Sequence, residues 1–324
     1  MRGNRLSRDS SGHENHGVNH GVNPEDGTFD GVGAYLEVPD HPSLNLGTGD
    51  FSISARIHTE AEVNDILGDV LEKYDPDLRR GITLSIKSSA GGYQSQGTDR
   101  HVCFGIDNAR ISDWKDCGRP SRTSNYVSNS LTVFQGKLHG GSIPRAEVCR
   151  CDGAEQWTSL KRFYSPPDWQ PVSPADNGGQ PTREEVSEWS RVTSLTIHDG
   201  RLFASIGSCT SSVLDAPADV RGRFYSLEAG KCVSYENDPG PGWKHLVAIR
   251  HAGLLKIYVD GNLVAKSTAF DPAEYDLSND RSLRIGFGQT DYFCGKIADM
   301  RIYHRALSEE EIAKLCTKPG ETGR

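Results

Sequence analysis

The sequence predicts an all-β protein in which short antiparallel strands are joined by tight turns, with one short helix near the C-terminus. Glycine (35) and proline (16) are plentiful among the 324 residues, and few windows have helical periodicity. Several segments alternate apolar and polar residues with period two, which is typical of strands that bury one face of a sheet. Turn-forming dipeptides, above all Asp260–Gly261, separate such segments.

The clearest strands lie in Trp243–Lys266. Apolar residues recur at alternate positions on both sides of a turn at His251–Gly253. Asp260–Gly261 follows and is well suited to the positive φ angles of a tight hairpin. The stretch therefore predicts three consecutive strands of a meander.

The same alternation and turn signals predict the other elements of the outer parts of the chain. Further strands are predicted at 34–39, 51–57, 66–74, 81–87, 282–288 and 295–303. A helix is predicted over Ser308–Cys316, because Ser308 is a good N-cap and Glu311 stands three residues later, as in a capping box.

The middle of the chain, from about residue 96, has a different composition, in which charged residues are interspersed with glycine, serine and proline. It contains an internal repeat of the pattern S-L-T-[VI]-x-x-G-[KR]-L, at residues 130–138 and again at 194–202. Each copy predicts a strand, a two-residue turn ending in glycine, and a second strand. A proline-rich stretch at 163–190 predicts an extended surface loop.

Composition excludes several classes of protein. A formal net charge of −8 does not suit binding to a phosphate backbone, so no nucleic-acid partner is expected. No apolar window is long enough to span a bilayer. The polar N-terminal segment lacks the apolar region of a signal peptide. Eight cysteines are present without a C-x-x-C pair, so the usual zinc signature is missing.

Three motifs in the outer segments resemble a known family. They read FDGVGAYLEVPDHPSLNLGTGDFSISARI (29–57), WKHLVAIRHAGLLKIYVDGNLV (243–264) and GKIADMRIYHRALSEEEI (295–312). Together they resemble the laminin-G-like, concanavalin A-type jelly roll found in many bacterial secreted proteins. The polar stretch DSSGHENHG (9–17) is similar to a loop near that family's N-terminus. The resemblance implies an antiparallel jelly-roll β-sandwich, and it implies that Trp243 lies in the core.

The resemblance also implies an interrupted domain. The expected organisation is a disordered tail at 1–8, a first jelly-roll part at 9–95, a β-rich insert at 96–221, a second jelly-roll part at 222–316 and a tail at 317–324. The insert is similar to propeller-type repeats in the repeated pattern described above and in DWKDCGRP at 113–120. Family members have a strand before the DSSG loop, so the chain is expected to start late.

The most favoured function is a non-catalytic binding module. Jelly-roll glucanases carry E-x-D-x-x-E on one strand, so that carboxylates face the sugar from one side, and this motif is absent here. Asp65, Asp69 and Glu72 are the nearest cluster, but their spacing does not place all three on one strand face, and they are expected to be solvated loop charges. Two alternatives stay open. One is a polysaccharide hydrolase or lyase whose carboxylates come from the insert; the other is a structural or adhesion module with a protein partner.

Calcium is the cofactor that the resemblance implies, in a structural role. In related jelly rolls an aspartate of the last strand and the N-terminal segment share the ion. Asp299 matches that strand position, and Asp9 or Asp30 would be the partner. His13, His16 and His20 are expected in a flexible polar loop rather than around a metal.

Carbohydrate, or another cell-surface polymer, is the expected ligand. Aromatic faces stack on sugar C–H surfaces, so exposed aromatic residues in loops are the candidates. We expect Tyr292 and Phe293 in the loop QTDYFCG, and Trp169 and Trp189 in the insert, to bind the ligand. The family resemblance implies an extracellular or cell-envelope location.

Overall fold

A computed structural model describes most of the chain and divides it into two compact units. Unit 1 comprises Met1–Arg110 and Ala229–Arg324, and unit 2 comprises Ile111–Glu228. The described residues are 6–61, 67–88, 100–113, 115–116, 131–134, 137–141, 146–153, 156–163, 190–198, 201–208, 223–235 and 237–317.

Unit 1 contains an eight-stranded antiparallel sheet and a six-stranded antiparallel sheet. The eight-stranded sheet consists, in spatial order, of β1 (Leu6–Ser7), β2 (Gly17–His20), β4 (Tyr35–Val38), β21 (Leu283–Ile285), β6 (Leu67–Asp75), β7 (Arg80–Ser88), β8 (Arg100–Ile111) and β17 (Ala229–Tyr235). The six-stranded sheet consists of β20 (Asn262–Lys266), β19 (Leu254–Val259), β18 (Gly242–His251), β5 (Phe51–Thr59), β22 (Cys294–Tyr303) and β3 (Thr28–Asp30). Two short 3-10 helices lie at Pro42–Leu44 and Pro272–Glu274.

One hydrophobic core joins the two sheets. Phe51, Ile53 and Ile57 of β5 face it from one sheet, and Leu71 and Leu84 face it from the other; each is at most 2% exposed. Alternate residues point to opposite faces of a strand, so the period-two pattern of β5 places its apolar set in this interior. The predicted all-β sandwich is confirmed.

The meander predicted at Trp243–Lys266 is confirmed as β18, β19 and β20. Leu246 pairs with Val259 across the first hairpin, and Asp260 and Gly261 at the second turn have φ angles of 48° and 82°. These positive angles are what a tight hairpin requires, and glycine adopts them without a steric penalty.

The C-terminal helix, α1 (Glu309–Thr317), is also as predicted. The Glu311 N–H donates to Ser308 Oγ at 3.3 Å, and the Ser308 N–H donates to Glu311 Oε2 at 2.9 Å, which together form the capping box. Ile312 is buried against Val247 and Tyr258 on the outer face of the six-stranded sheet.

The prediction that Trp243 belongs to the core is wrong. Trp243 shares the outer face of β18 with Val247 and Ile249, because side chains at alternate positions point the same way. The helix packs on Val247 and Ile249, whereas Trp243 keeps 44% of its surface exposed and contacts His58 edge-on.

Unit 2 contains two four-stranded antiparallel sheets. One consists of β10 (Leu131–Phe134), β11 (Lys137–Gly141), β12 (Glu147–Gly153) and β13 (Gln156–Arg162). The other consists of β14 (Ser190–His198), β15 (Arg201–Ser208), β16 (Arg223–Leu227) and β9 (Lys115–Asp116). The two copies of the sequence repeat lie in the hairpins β10–β11 and β14–β15, with Val133 opposite Leu138 and Ile197 opposite Leu202. The resemblance to propeller repeats stays a prediction.

The boundaries of unit 2 differ from those expected for the insert. Strand β8 pairs with β7 from Arg100 to Asn108, so this strand belongs to unit 1. The chain enters and leaves unit 2 side by side, because the Ser112 N–H donates to the Glu228 carbonyl at 2.9 Å. Within the part of the chain that the structure describes, no helix has the length and apolarity needed to cross a membrane.

Candidate functional site

The outer face of the eight-stranded sheet carries polar and aromatic side chains. Leu283 and Ile285 of β21 pack towards the core, so Arg284 between them points outwards. Arg284 lies opposite Glu37 of β4 on one side and opposite Glu72 of β6 on the other. One row of the outer face therefore reads Glu37, Arg284, Glu72.

An aromatic cluster lies beside this row, and we call it the aromatic platform. It consists of His20, Tyr35, Phe287 and Tyr292. The rings of His20 and Tyr35 stack with centroids 4.3 Å apart, and those of Phe287 and Tyr292 stack at 4.1 Å. Tyr35 joins the two pairs, at 5.4 Å from Phe287 and 6.2 Å from Tyr292. All four residues are partly exposed.

Charged groups border the platform. His20 Nε2 lies 3.3 Å from Glu37 Oε2, and the Arg284 guanidinium lies 5.3 Å from the centroid of the Phe287 ring. The surface therefore combines aromatic ring faces with hydrogen-bond donors and acceptors, which is the usual composition of a site for a polar organic ligand.

Phe287 and Tyr292 belong to the segment 286–293 between β21 and β22, which we call the aromatic loop. Two carboxylates of β6 hold the backbone of this loop. Glu72 Oε2 accepts the Gln289 N–H at 2.6 Å, and Asp69 Oδ2 accepts the N–H groups of Thr290 at 2.6 Å and Asp291 at 3.1 Å. The Asp69 N–H donates in turn to the Asp291 carbonyl at 3.1 Å.

Asp69 and Glu72 are buried, so the expectation that they are solvated loop charges is wrong. They are 0% and 2% exposed. Burial is the main cause that raises the pKa of Asp69 to about 6. Burial, followed by the charge of Asp69, raises the pKa of Glu72 to about 8. The bulge between Asp69 and Leu71 shifts the register of β6, and this places both carboxyl groups on the outer face. Asp65, the third member of that cluster, lies outside the described residues.

The structure separates the two loop residues expected to bind a ligand. Tyr292 lies in the platform and is partly exposed. Phe293 is 0% exposed and packs edge-on against Phe29 in the core, so it has no surface to offer a ligand. Neighbouring residues of an extended segment point to opposite sides, which is why only one of the pair can face outwards. Trp169 and Trp189 lie outside the described residues.

The three aspartates expected to bind calcium each have their own hydrogen-bond partners in the protein. Asp30 Oδ1 accepts three backbone N–H groups, from residues 32, 33 and 34. Asp9 accepts hydrogen bonds from Ser11 and from the Asn15 N–H. Asp299 forms a two-pronged ion pair with Arg301. Protein donors thus engage each carboxylate, and the described residues contain no cluster of three or more His, Cys, Asp or Glu side chains able to hold a metal. A structural calcium ion held by Asp299 with Asp9 or Asp30 stays a prediction.

Asp9 and Asp299 do border one cavity, of about 910 Å³, in unit 1. Apolar side chains of both sheets line it, among them Leu36, Ile285 and Ile302. His13 also lies at the cavity, whereas His16 Nδ1 accepts the Asp9 N–H at 3.1 Å.

Sequence reasoning missed His20, Tyr35 and Arg284 as members of the site. Each lies at an outward position of a short strand, and β2 and β21 contain only four and three residues. The alternation Tyr35-Leu36-Glu37-Val38 was the available signal, because its apolar partners mark Tyr35 and Glu37 as outward-facing.

Residues 186–313 match the family Laminin_G_3, described as the Concanavalin A-like lectin/glucanases superfamily. This match confirms the family resemblance drawn from the sequence motifs.

Solved structures give weaker likenesses. The chain is similar to the receptor binding domain of the botulinum neurotoxin C/D mosaic serotype, with a TM-score of 0.42 and 11% identity over 95% of this chain and 48% of that one. It is similar to domain 4 of an extracellular arabinanase from Geobacillus stearothermophilus in complex with arabinotriose, with a TM-score of 0.36 and 12% identity over 97% and 82%. It is also similar to the binding domain of botulinum neurotoxin DC in complex with SialylT, with a TM-score of 0.39 and 10% identity over 98% and 46%. The chain thus spans about half the length of the two toxin domains. At TM-scores this low, function is inferred from the residues of this chain alone.

Proposed function

We propose that this chain, which carries a jelly roll of the concanavalin A-like lectin/glucanase superfamily, is a non-catalytic carbohydrate-binding module. The observation that carries the proposal is the aromatic platform on the outer face of the eight-stranded sheet. Its four residues are partly exposed, and Glu37 and Arg284 lie beside them.

The chemistry of this surface suits a sugar. The C–H faces of a pyranose or furanose ring pack on aromatic rings, while its hydroxyl groups need both donors and acceptors. Tyr292 and Tyr35 supply ring faces and hydroxyl groups, Arg284 supplies donors, and Glu37 supplies acceptors.

Asp69 and Glu72 do not suit glycoside hydrolysis. A glycosidase needs two carboxyl groups that face the scissile bond from either side of the sugar. Here both carboxyl groups are buried, and they accept hydrogen bonds from backbone N–H groups of the aromatic loop. The alternative of a hydrolase or lyase therefore depends on carboxylates elsewhere in the chain, and it predicts release of reducing or unsaturated sugars.

The proposed ligand is a polysaccharide or another cell-surface polymer, and the proposed location is outside the cytoplasm, where such polymers are found. The alternative is that a protein partner binds the same surface. A screen of the purified protein against glycans and against proteins distinguishes the two ligands.

A glycan array on the purified protein tests the proposal. We expect binding that Tyr292→Ala weakens by about five- to thirtyfold, since loss of one stacked ring removes about 1–2 kcal/mol of contact. Trp243→Ala is the matched control, because it removes a larger exposed ring from the other sheet and is expected to leave binding unchanged.

Three results would contradict the proposal. Binding that depends on Trp243 and not on Tyr292 would move the site to the other sheet. Absence of binding at millimolar glycan would remove carbohydrate as the ligand. Release of reducing sugar from a polysaccharide panel would favour the hydrolase.

A further inference from the structure

The aromatic loop is attached to β6 through a compact set of hydrogen bonds. Three consecutive N–H groups, from Gln289 to Asp291, point at the carboxyl groups of Asp69 and Glu72. Consecutive N–H groups that converge on one point form a site for negative charge, because their partial positive charges add. The loop backbone therefore favours an anion at this point of β6.

The fit between the loop and the two carboxyl groups is close. A Cβ atom on Gly288 would lie 2.6 Å from Glu72 Oε2 and 2.8 Å from Asp69 Cγ, so the two carboxyl groups are neighbours. A Cβ atom on Gly68 would lie 2.3 Å from the Tyr292 carbonyl oxygen. Both positions need glycine for the loop to lie flat on β6.

Few positively charged side chains act on the two carboxyl groups. Lys87 of β7 acts on Asp69, and Arg284 of β21 acts on Glu72. Arg284 also lies opposite Glu37 of β4, and the loop itself brings the carboxylate of Asp291. Asp69 Oδ1 is buried and has no hydrogen-bond partner within the described part of the chain. A proton at this place would supply the missing donor, and it would prevent two negative charges from standing side by side.

We propose that Asp69 and Glu72 are positioning residues for the aromatic platform: while they hold one proton between them they clamp the aromatic loop, and loss of that proton releases it. This inference deepens the proposed function. It rests on that function for the identity of the ligand, whereas the clamp itself does not depend on any ligand. Its consequence is a binding surface that is ordered in acidic and neutral solution and loosens in alkaline solution.

The direction follows from the raised pKa values of the pair. The folded protein holds a proton on Glu72 up to about pH 8, whereas an unfolded chain releases it near the ordinary glutamate pKa of 4.5. Stability of the clamped loop is therefore highest at low pH, falls as the pH rises from about 4.5 towards 8, and has been lost above that range. Asp69, whose pKa is raised to about 6, loses its proton first, so the pair carries one negative charge between about pH 6 and 8 and two above about pH 8.

Hydrogen–deuterium exchange of the full chain between pH 6 and 9 tests the inference without any ligand. After correction for intrinsic exchange rates, we expect protection of residues 289–292 to fall by about tenfold across this range. We expect Glu72→Gln to abolish the fall, since a neutral amide still accepts the Gln289 N–H and cannot ionise. Strands β18 and β19 in the same sample report whether the whole fold opens. Glu60→Gln is the matched control, because Glu60 is an exposed carboxylate that follows β5.

Loop protection that stays flat with pH in the wild type overturns the inference, and so does a Glu72→Gln protein that keeps the wild-type profile. If Glu72→Gln fails to fold, the same exchange measurement between pH 6 and 9 is made on Asp69→Asn and compared with the wild type. Where a binding glycan is known, its affinity should weaken about fivefold or more between pH 6.5 and 9 in the wild type and stay level in Glu72→Gln. Exchange data that show the pH response in a protein that binds no glycan would support the clamp and contradict only the proposed function.

Discussion

Arg250 shows at the residue scale how one buried charge joins separate segments of unit 1. It is 0% exposed and lies on the core-facing side of β18. Its guanidinium donates to the carbonyl groups of Tyr275 at 2.8 Å, Pro272 at 2.7 Å and Thr48 at 2.8 Å. The planar, five-donor guanidinium is the side chain that can reach several carbonyl groups at once. Arg250 therefore fixes the loops at 47–48 and 272–275 onto the sheet.

Replacement of Arg250 by lysine is expected to lower the free energy of unfolding by about 3 kcal/mol. Lysine keeps the charge, but its single ammonium group cannot reach all of these carbonyl groups and leaves some of them buried without a donor. Chemical denaturation measures the loss. Arg110→Lys is the control, because Arg110 forms an exposed ion pair with Glu274 and should change stability by less than about 1 kcal/mol. Equal effects of the two substitutions would contradict this account.

At the element scale, the aromatic loop is a short connection whose position depends on the strand beneath it. It returns from Gly286 to Phe293, which are joined by a hydrogen bond from the Phe293 N–H to the Gly286 carbonyl at 2.9 Å. Between them the loop makes contact with β6 through the two carboxyl groups described above. A connection held in this way needs a close approach of backbone to side chain, and Gly288 supplies it.

Gly288→Ala is therefore expected to displace the loop. The added methyl group overlaps Glu72 Oε2 and Asp69 Cγ, and the cost of overpacking is about 1–3 kcal/mol. Loss of the near-ultraviolet circular dichroism of Tyr292 and faster exchange at 289–291 measure the displacement. Gly33→Ala is the matched control, since a Cβ atom at Gly33 meets nothing within 4 Å. A Gly288→Ala protein with unchanged exchange would show that the loop can be accommodated without this close approach.

At the scale of the whole molecule, the two ends of unit 2 lie side by side where the chain enters and leaves it. Ser112 and Glu228 are hydrogen-bonded neighbours there, with the Glu228 N–H donating to Ser112 Oγ at 3.1 Å. The two sheets and the hydrophobic core of unit 1 are formed by residues on either side of this point.

Removal of residues 113–227, with an Asn-Gly turn in their place, is expected to leave unit 1 folded. The turn can close the gap because the two ends already lie side by side. A single cooperative thermal transition and a β-type circular dichroism spectrum measure this outcome. Aggregation, or loss of the transition, would show that unit 1 needs unit 2 in order to fold.

Much of unit 1 was predictable, since it depends on local patterns. The alternation of β5 and β18, the Asp260–Gly261 turn and the Ser308–Glu311 capping box each use neighbours in sequence, and the structure confirms all of them. Of the candidate site only Tyr292 was foreseen in its correct environment. Phe293, one residue away, was placed on the wrong side, because loop residues carry no periodic signal that tells inside from outside.

The amino-acid sequence by itself determined the class of fold, the strands of the meander and the helix cap, because each follows from φ preferences, period-two burial and local hydrogen bonds. Only the tertiary structure decided what is a site. Asp69 and Glu72 became buried anchors when a loop more than 200 residues later in the chain folded over them. Tyr35 and His20 joined Phe287 and Tyr292 through strand pairing between distant segments. Burial and strand pairing depend on which segments meet in space, and no local pattern states that.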